Sequence, residues 1–196
     1  MANFNVGSLL GRLNKAEKEA ASEAETQKKI LYVCTGNIAR SASAKYLSRQ
    51  LAGSESSWIF DSAGTGAVVG SGVAPHIDRE LASRGVDFSD HKARQIQKKD
   101  LEESALVLVM EKEHLDWLVR EWPQYRAKIH LLGQMARLRE QAGRRIDPIA
   151  FMLQHEKEPA REDRIKDPYR KGAEAAKIAV ERIERDLSVI IPWLGK

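Results

Sequence analysis

Ile30-Leu31-Tyr32-Val33-Cys34-Thr35-Gly36-Asn37-Ile38-Ala39-Arg40-Ser41 runs from an apolar tetrapeptide, through a small loop, to the mouth of a helix-forming segment. The tetrapeptide is β-branched and aromatic, whereas Ala44, Leu47 and Leu51 recur at helical spacing beyond Ser41. The order is strand, loop, helix, and Ser41 is the expected N-cap.

A loop between a strand end and a helix start aims unpaired backbone N–H groups at one point, with the positive end of the helix dipole behind them. Such a nest accepts a phosphate-sized dianion, and Gly36 and Asn37 tolerate the dihedrals that wrapping requires. The same dipoles stabilise a thiolate, which makes Cys34 a candidate nucleophile. Arg40 offers a planar fork that grips two phosphate oxygens, which a lysine does less well.

Strand and helix signals alternate through the rest of the chain. Trp58 to Ser62, Ala105 to Met110 and Ile129 to Gly133 read as further strands, the second a continuous apolar run fit for a buried parallel sheet. Helices are expected from Pro75 to Ser83, ahead of Gly85, and from Lys112 to Trp122. A last helix carries Ala176, Val180, Ile183 and Leu187 on one face. Alternation of this kind implies an α/β fold with a four-stranded parallel sheet between helices, and a ligand beyond the carboxyl ends of the strands, where Cys34 lies.

The composition fits one soluble globular domain. The chain has 196 residues, 42% hydrophobic and 31% charged, and no apolar run approaches the ~20 residues a membrane span needs. Its net charge of +4 comes from basic residues interleaved with acidic ones, without a basic block or a stacking motif. That argues against nucleic acid and for a mildly basic surface suited to acidic phosphopeptides. One cysteine forms no internal disulfide, and the amino terminus has no secretory apolar core, so the cytoplasm is the expected compartment.

Cys34, Gly36, Asn37, Arg40 and Ser41 together resemble the signature loop of the low-molecular-weight protein tyrosine phosphatases, which reads Cys-x-Gly-Asn-x-Cys-Arg-Ser-Pro. The chain departs from it at Ala39 and Ala42. The resemblance implies a single three-layer domain, flavodoxin-like or doubly wound, of the phosphatase I-like type, over 30–196. Residues 1–29 would be an amino-terminal helical extension, with Leu9, Leu13, Ala16 and Ala20 at helical spacing, and about 134–166 a charged insertion. That insertion is expected to be a surface excursion with a small apolar anchor, or else a specificity lid.

Further segments carry the resemblance. Ser62-Ala63-Gly64 matches a tripeptide whose serine helps hold the phosphate loop, and His91-Lys92-Ala93-Arg94-Gln95 matches a segment whose histidine bonds the loop asparagine. Asp167-Pro168-Tyr169 matches the loop bearing the general acid and an aromatic wall, while Asp147-Pro148 is a decoy followed by Ile149. By resemblance, then, Cys34 is the nucleophile, Arg40 binds the transferred group, Asp167 protonates the leaving phenolate, and Ser41 donates to the leaving sulfur. Thr35, Gly36, Asn37, Ile38, Ala39 and Tyr169 would bind substrate. Ala67, Val68 and Val69 stand where relatives often have an aromatic side chain, an aliphatic pattern shared with the exopolysaccharide branch.

The implied reaction forms a phosphocysteine intermediate and needs no cofactor and no metal. Ile38 favours phosphotyrosine, since members acting on phosphoarginine commonly carry threonine at that place. The capsule and exopolysaccharide branch implies an autophosphorylating bacterial tyrosine kinase as partner. Two alternatives remain: an arsenate reductase using an external thiol, and a phosphotyrosine-binding module without turnover.

Overall fold

The computed structural model describes residues 28–143, 146–154 and 158–195. The expected amino-terminal helix lies outside the described residues. Four strands, β1 (Lys29–Cys34), β2 (Ile59–Gly64), β3 (Leu106–Val109) and β4 (Ile129–Leu131), form one parallel sheet in the order β2-β1-β3-β4. The helices are α1 (Arg40–Ala52), α2 (Ile77–Ser83), α3 (Lys98–Glu103), α4 (Lys112–Glu121), α5 (Leu132–Arg139), α6 (Pro148–Gln154) and α7 (Gly172–Leu194).

The pleat divides the core. Ile30, Tyr32, Cys34, Leu106 and Leu108 face one layer, packed against Leu47, Leu81, Met135, Val180 and Leu187. Leu31, Val33, Val107 and Val109 face the other, against Leu101, Leu115 and Leu118. Because β1 and β3 are apolar on both faces, the sheet is covered on both sides. The doubly wound three-layer fold expected from the sequence is the one observed, and Cys34 ends a central strand where β1 leads to β2 on one flank and β3 lies on the other.

The boundaries differ in places. Helix α1 opens two residues early, at Arg40, so Ala39 is its N-cap and Ser41 sits inside the first turn. The hydroxyl of Ser41 is engaged by Cys34 and Asn37, and therefore does not cap. Helix α2 opens at Ile77 and not at Pro75, after His76 at φ 72°. The fourth strand stops at Leu131, because Leu132 already begins α5.

The 134–166 segment, where described, is exposed at many positions and anchored to the domain at several buried points. Its first residues complete α5, with Met135 and Leu138 fully buried. Met152 of α6 is also fully buried, and Phe151 packs edge-on to Trp193 at 5.5 Å between ring centroids. The Arg137 guanidinium makes a two-pronged contact, 2.8 Å on each side, with the buried Asp163. A side chain on Gly133 would strike the Asp163 carbonyl, so glycine there lets the segment fold down onto α5.

Candidate active site

The loop between β1 and α1 owes its shape to its carbonyls. Those of Cys34, Thr35, Gly36 and Ile38 accept the backbone N–H groups of Thr65, Gly66, Val68 and Ala74 at 2.8–3.0 Å. The Asn37 carbonyl accepts from His91 Nε2 at 2.7 Å, and that of Ala39 from Ser43 N at 2.8 Å. All six carbonyls are thus drawn outward. In a trans peptide the N–H points opposite to the carbonyl, so the loop amides turn inward toward a common centre. That is a built anion nest.

Asn37 holds this shape from behind, at φ 54° and fully buried. Its Nδ2 donates to Ser41 Oγ at 3.0 Å and Ser62 Oγ at 2.9 Å, and its Oδ1 accepts from Arg94 N at 2.9 Å. With Asn37 donating to Ser41, the Ser41 hydroxyl hydrogen is free to point at Cys34 Sγ, 3.0 Å away. Gly64 is required beneath: a Cβ there would lie 2.3 Å from the Thr35 carbonyl. The Arg94 guanidinium, bonded to Asp61 and Asp100, braces the neighbouring segment.

Cys34, Thr35, Gly36, Ile38, Ala39 and Arg40 line a cavity of about 190 Å³, closed by Gly66, Val68, Asp167 and Tyr169. Most of the site residues named from the resemblance meet here; the Asn37 side chain lies behind the loop, and Ser41 reaches Cys34 Sγ beside the cavity. Ser62 Oγ accepts from Asn37 Nδ2, and His91 Nε2 lies 2.7 Å from the Asn37 carbonyl, so both meet the loop through Asn37. Burial pushes the His91 imidazole below its ordinary value, consistent with a neutral ring donating from Nε2. Val68 and Tyr169 both line the cavity, so its walls include an aliphatic and an aromatic side chain.

Arg40 is 2% exposed. Its Nη1 donates to Glu111 and to the Ile165 carbonyl, and its Nη2 lies 3.1 Å from Asp167 Oδ1. Arg164 contacts the other Glu111 oxygen at 2.5 Å. Burial raises the Glu111 carboxyl, but hydrogen bonding and charge from Arg40, with Arg164 behind them, outweigh it and hold the group below its ordinary value. Glu111 was missed by sequence reasoning. The signal was available: a carboxylate directly after the apolar run of β3, at a strand's carboxyl end. Arg164 carried no such signal, and neither did His114, whose Nε2 lies 2.9 Å from Thr35 Oγ1. Burial, and after it the charge of Arg40, push His114 down to about 4.

Asp147 is not in the site. Its Oδ1 accepts from Ala150 N at 2.8 Å, capping α6, and its other oxygen lies 3.8 Å from Lys28. The Asp147-Pro148 dipeptide is a helix start.

Residues 29–148 match a family model described as low molecular weight phosphotyrosine protein phosphatase. The match ends at Asp147-Pro148, so Asp167 lies outside it. The chain is 32% identical over 157 residues, 80% of its length and 87% of the relative's, to the low molecular weight protein-tyrosine-phosphatase Wzb of Salmonella typhi. It is 34% identical over 108 residues, 54% of its length and 70% of the relative's, to the protein-arginine-phosphatase of Geobacillus stearothermophilus. The crystal structure of the tyrosine phosphatase Wzb from Escherichia coli K30 in complex with sulphate superposes with a TM-score of 0.67 at 27% identity, covering 86% of this chain and 99% of that one.

Proposed function

The chain belongs to the low molecular weight phosphotyrosine protein phosphatase family, and from that membership we propose that it hydrolyses phosphotyrosine in proteins through a phosphocysteine on Cys34. The observation that carries this reading is the outward anchoring of all six loop carbonyls, which turns the loop amides into an anion cradle with Cys34 at its rim and Arg40 at its end.

In the first step the Cys34 sulfur attacks phosphorus in line. The S–P bond forms as the P–O bond to the tyrosine oxygen breaks, and Asp167 gives its proton to the departing phenolate. Loop N–H groups and the Arg40 fork hold the non-bridging oxygens as charge moves onto them. Arriving phosphate competes with Asp167 for Arg40, which frees the carboxyl to face the leaving group. In the second step Asp167 takes a proton from water attacking phosphorus. The S–P bond breaks, and the Ser41 hydroxyl donates to the sulfur as it regains its charge.

Phosphotyrosine fits better than phosphoarginine. The mouth between Ile38, Val68 and Tyr169 offers apolar and aromatic faces to a phenyl ring and no carboxylate to a guanidinium beyond Asp167. The resemblance to the capsule and exopolysaccharide branch puts forward an autophosphorylating bacterial tyrosine kinase, or its targets, as substrate. The cytoplasm is the matching compartment, where a lone thiol stays reduced.

The test is phosphate release from phosphotyrosine, phosphoserine and phosphoarginine peptides by the unaltered protein and by Cys34→Ser. Selective phosphotyrosine turnover, abolished in the variant, is expected. Phosphopeptide binding without turnover in the unaltered protein would make it a binding module instead, and faster phosphoarginine release would overturn the substrate assignment.

A further inference from the structure

Asp167 lines a second cavity besides that of Cys34. This one, of about 430 Å³, lies between the stretch Arg164 to Asp167 and a single stripe of α7. The stripe is Ala175, Ile178, Arg182 and Arg185, with Lys171 in line at the N-cap, repeating every three or four residues and so lying along one helix face. The opposite wall is the end of the 134–166 segment, held by two contacts: Arg137 on Asp163 and Arg164 on Glu111.

The charges in this groove are uneven. Five cations face two carboxylates, Asp167 and Glu181. Arg164 is committed to Glu111 and Arg182 to Asp186, but Lys166, Lys171 and Arg185 are exposed and, among the described residues, form no ion pair. Ile178, 56% exposed, supplies an apolar contact between them. Exposed cations without an ion pair occur elsewhere among the described residues too, Arg79, Lys92, Arg161 and Arg170 among them, so what marks this groove is the gathering of five cations around one cavity. These cations line the same cavity as Asp167.

We propose that this groove binds an acidic segment of the substrate polypeptide adjoining its phosphotyrosine. The proposal rests on the phosphatase reading: a tyrosine inserted beside Asp167 leaves its flanking chain at the groove's lip. Carboxylates along that chain would meet Lys166, Lys171 and Arg185, and an apolar residue would meet Ile178. The 134–166 segment would then serve substrate choice by building one wall of the groove rather than by covering the active site.

The experiment compares kcat/KM for phosphotyrosine peptides flanked by a run of Glu or a run of Gln, with p-nitrophenyl phosphate alongside, for the unaltered protein and for Lys171→Glu/Arg185→Glu. The Glu peptide is expected to be preferred about tenfold, with the preference shrinking as salt rises. The double variant should lose the preference while p-nitrophenyl phosphate turnover is unchanged. Equal rates for the two peptides, or a preference that survives charge reversal, would overturn the groove. Failure to hydrolyse p-nitrophenyl phosphate would instead sink the phosphatase reading. The groove would then be decided by fluorescence anisotropy of the labelled Glu peptide: tighter binding than the Gln peptide, lost in the double variant, supports it, and equal binding refutes it.

Discussion

Asp167 Oδ1 lies 3.1 Å from Arg40 Nη2, so the group assigned to proton transfer is tied to the group assigned to phosphate binding. Arg40 thereby fixes where Asp167 stands before substrate enters, and a dianion that claims the guanidinium releases it.

Replacing Asp167 with Asn keeps the shape and removes the proton. Turnover of a phosphotyrosine peptide should fall about 10²- to 10³-fold, and that of p-nitrophenyl phosphate, whose leaving group needs less protonation, by less. Asp147→Asn should leave both rates unchanged. Asp147→Ala should lower stability by about 1 kcal/mol through the lost α6 cap, read by denaturant unfolding. A rate loss in the Asp147 variants equal to that of Asp167→Asn would reverse the assignment.

Glu111 fixes the other edge of Arg40. Glu111→Ala leaves a guanidinium that is 2% exposed without its closest anion, and breaking a buried pair costs about 3 kcal/mol. A lower melting temperature and a lower kcat/KM are expected, with partial recovery of both in Glu111→Gln. An unchanged kcat/KM in the Ala variant would show that Asp167 and the Ile165 carbonyl orient Arg40 unaided.

His114 makes stability depend on pH. The unfolded chain takes up a proton on this residue near 6.5, the folded protein only near about 4, because burial and the Arg40 charge oppose it. Between those values the unfolded state binds more protons, so stability falls as pH is lowered. Glu111 acts with the same sign at lower pH, its folded value lying below the unfolded one. Thermal unfolding from pH 7 to 4 should show the decline, with a shallower slope over 6.5 to 4 in His114→Gln. Equal slopes would assign the dependence to other groups.

Oxidation should be damaging. Cys34 is the chain's single cysteine, and Ala39 stands where the family pattern has a second one, so a sulfenic acid finds no internal thiol. Prolonged excess peroxide should abolish activity and leave sulfinic or sulfonic Cys34 by mass spectrometry. Full recovery after adding a thiol would contradict this.

What the sequence determined lies in short stretches. Strand, loop and helix around Cys34 follow from side-chain period and loop composition, because these depend on neighbours a few residues away. The choice of Asp167 over Asp147 was legible too, since Tyr169 follows one and Ile149 the other. Tertiary structure alone decided what surrounds Arg40. Glu111 is 71 residues from it and the Ile165 carbonyl 125, and no local period encodes contacts that arise when separate strand ends and connections meet at one edge of a sheet. The outward pull on the loop carbonyls is of the same kind. Gly36 and Asn37 permit the nest, but it is the 65–74 segment and His91, brought alongside by β2 and its following loop, that turn the amides inward.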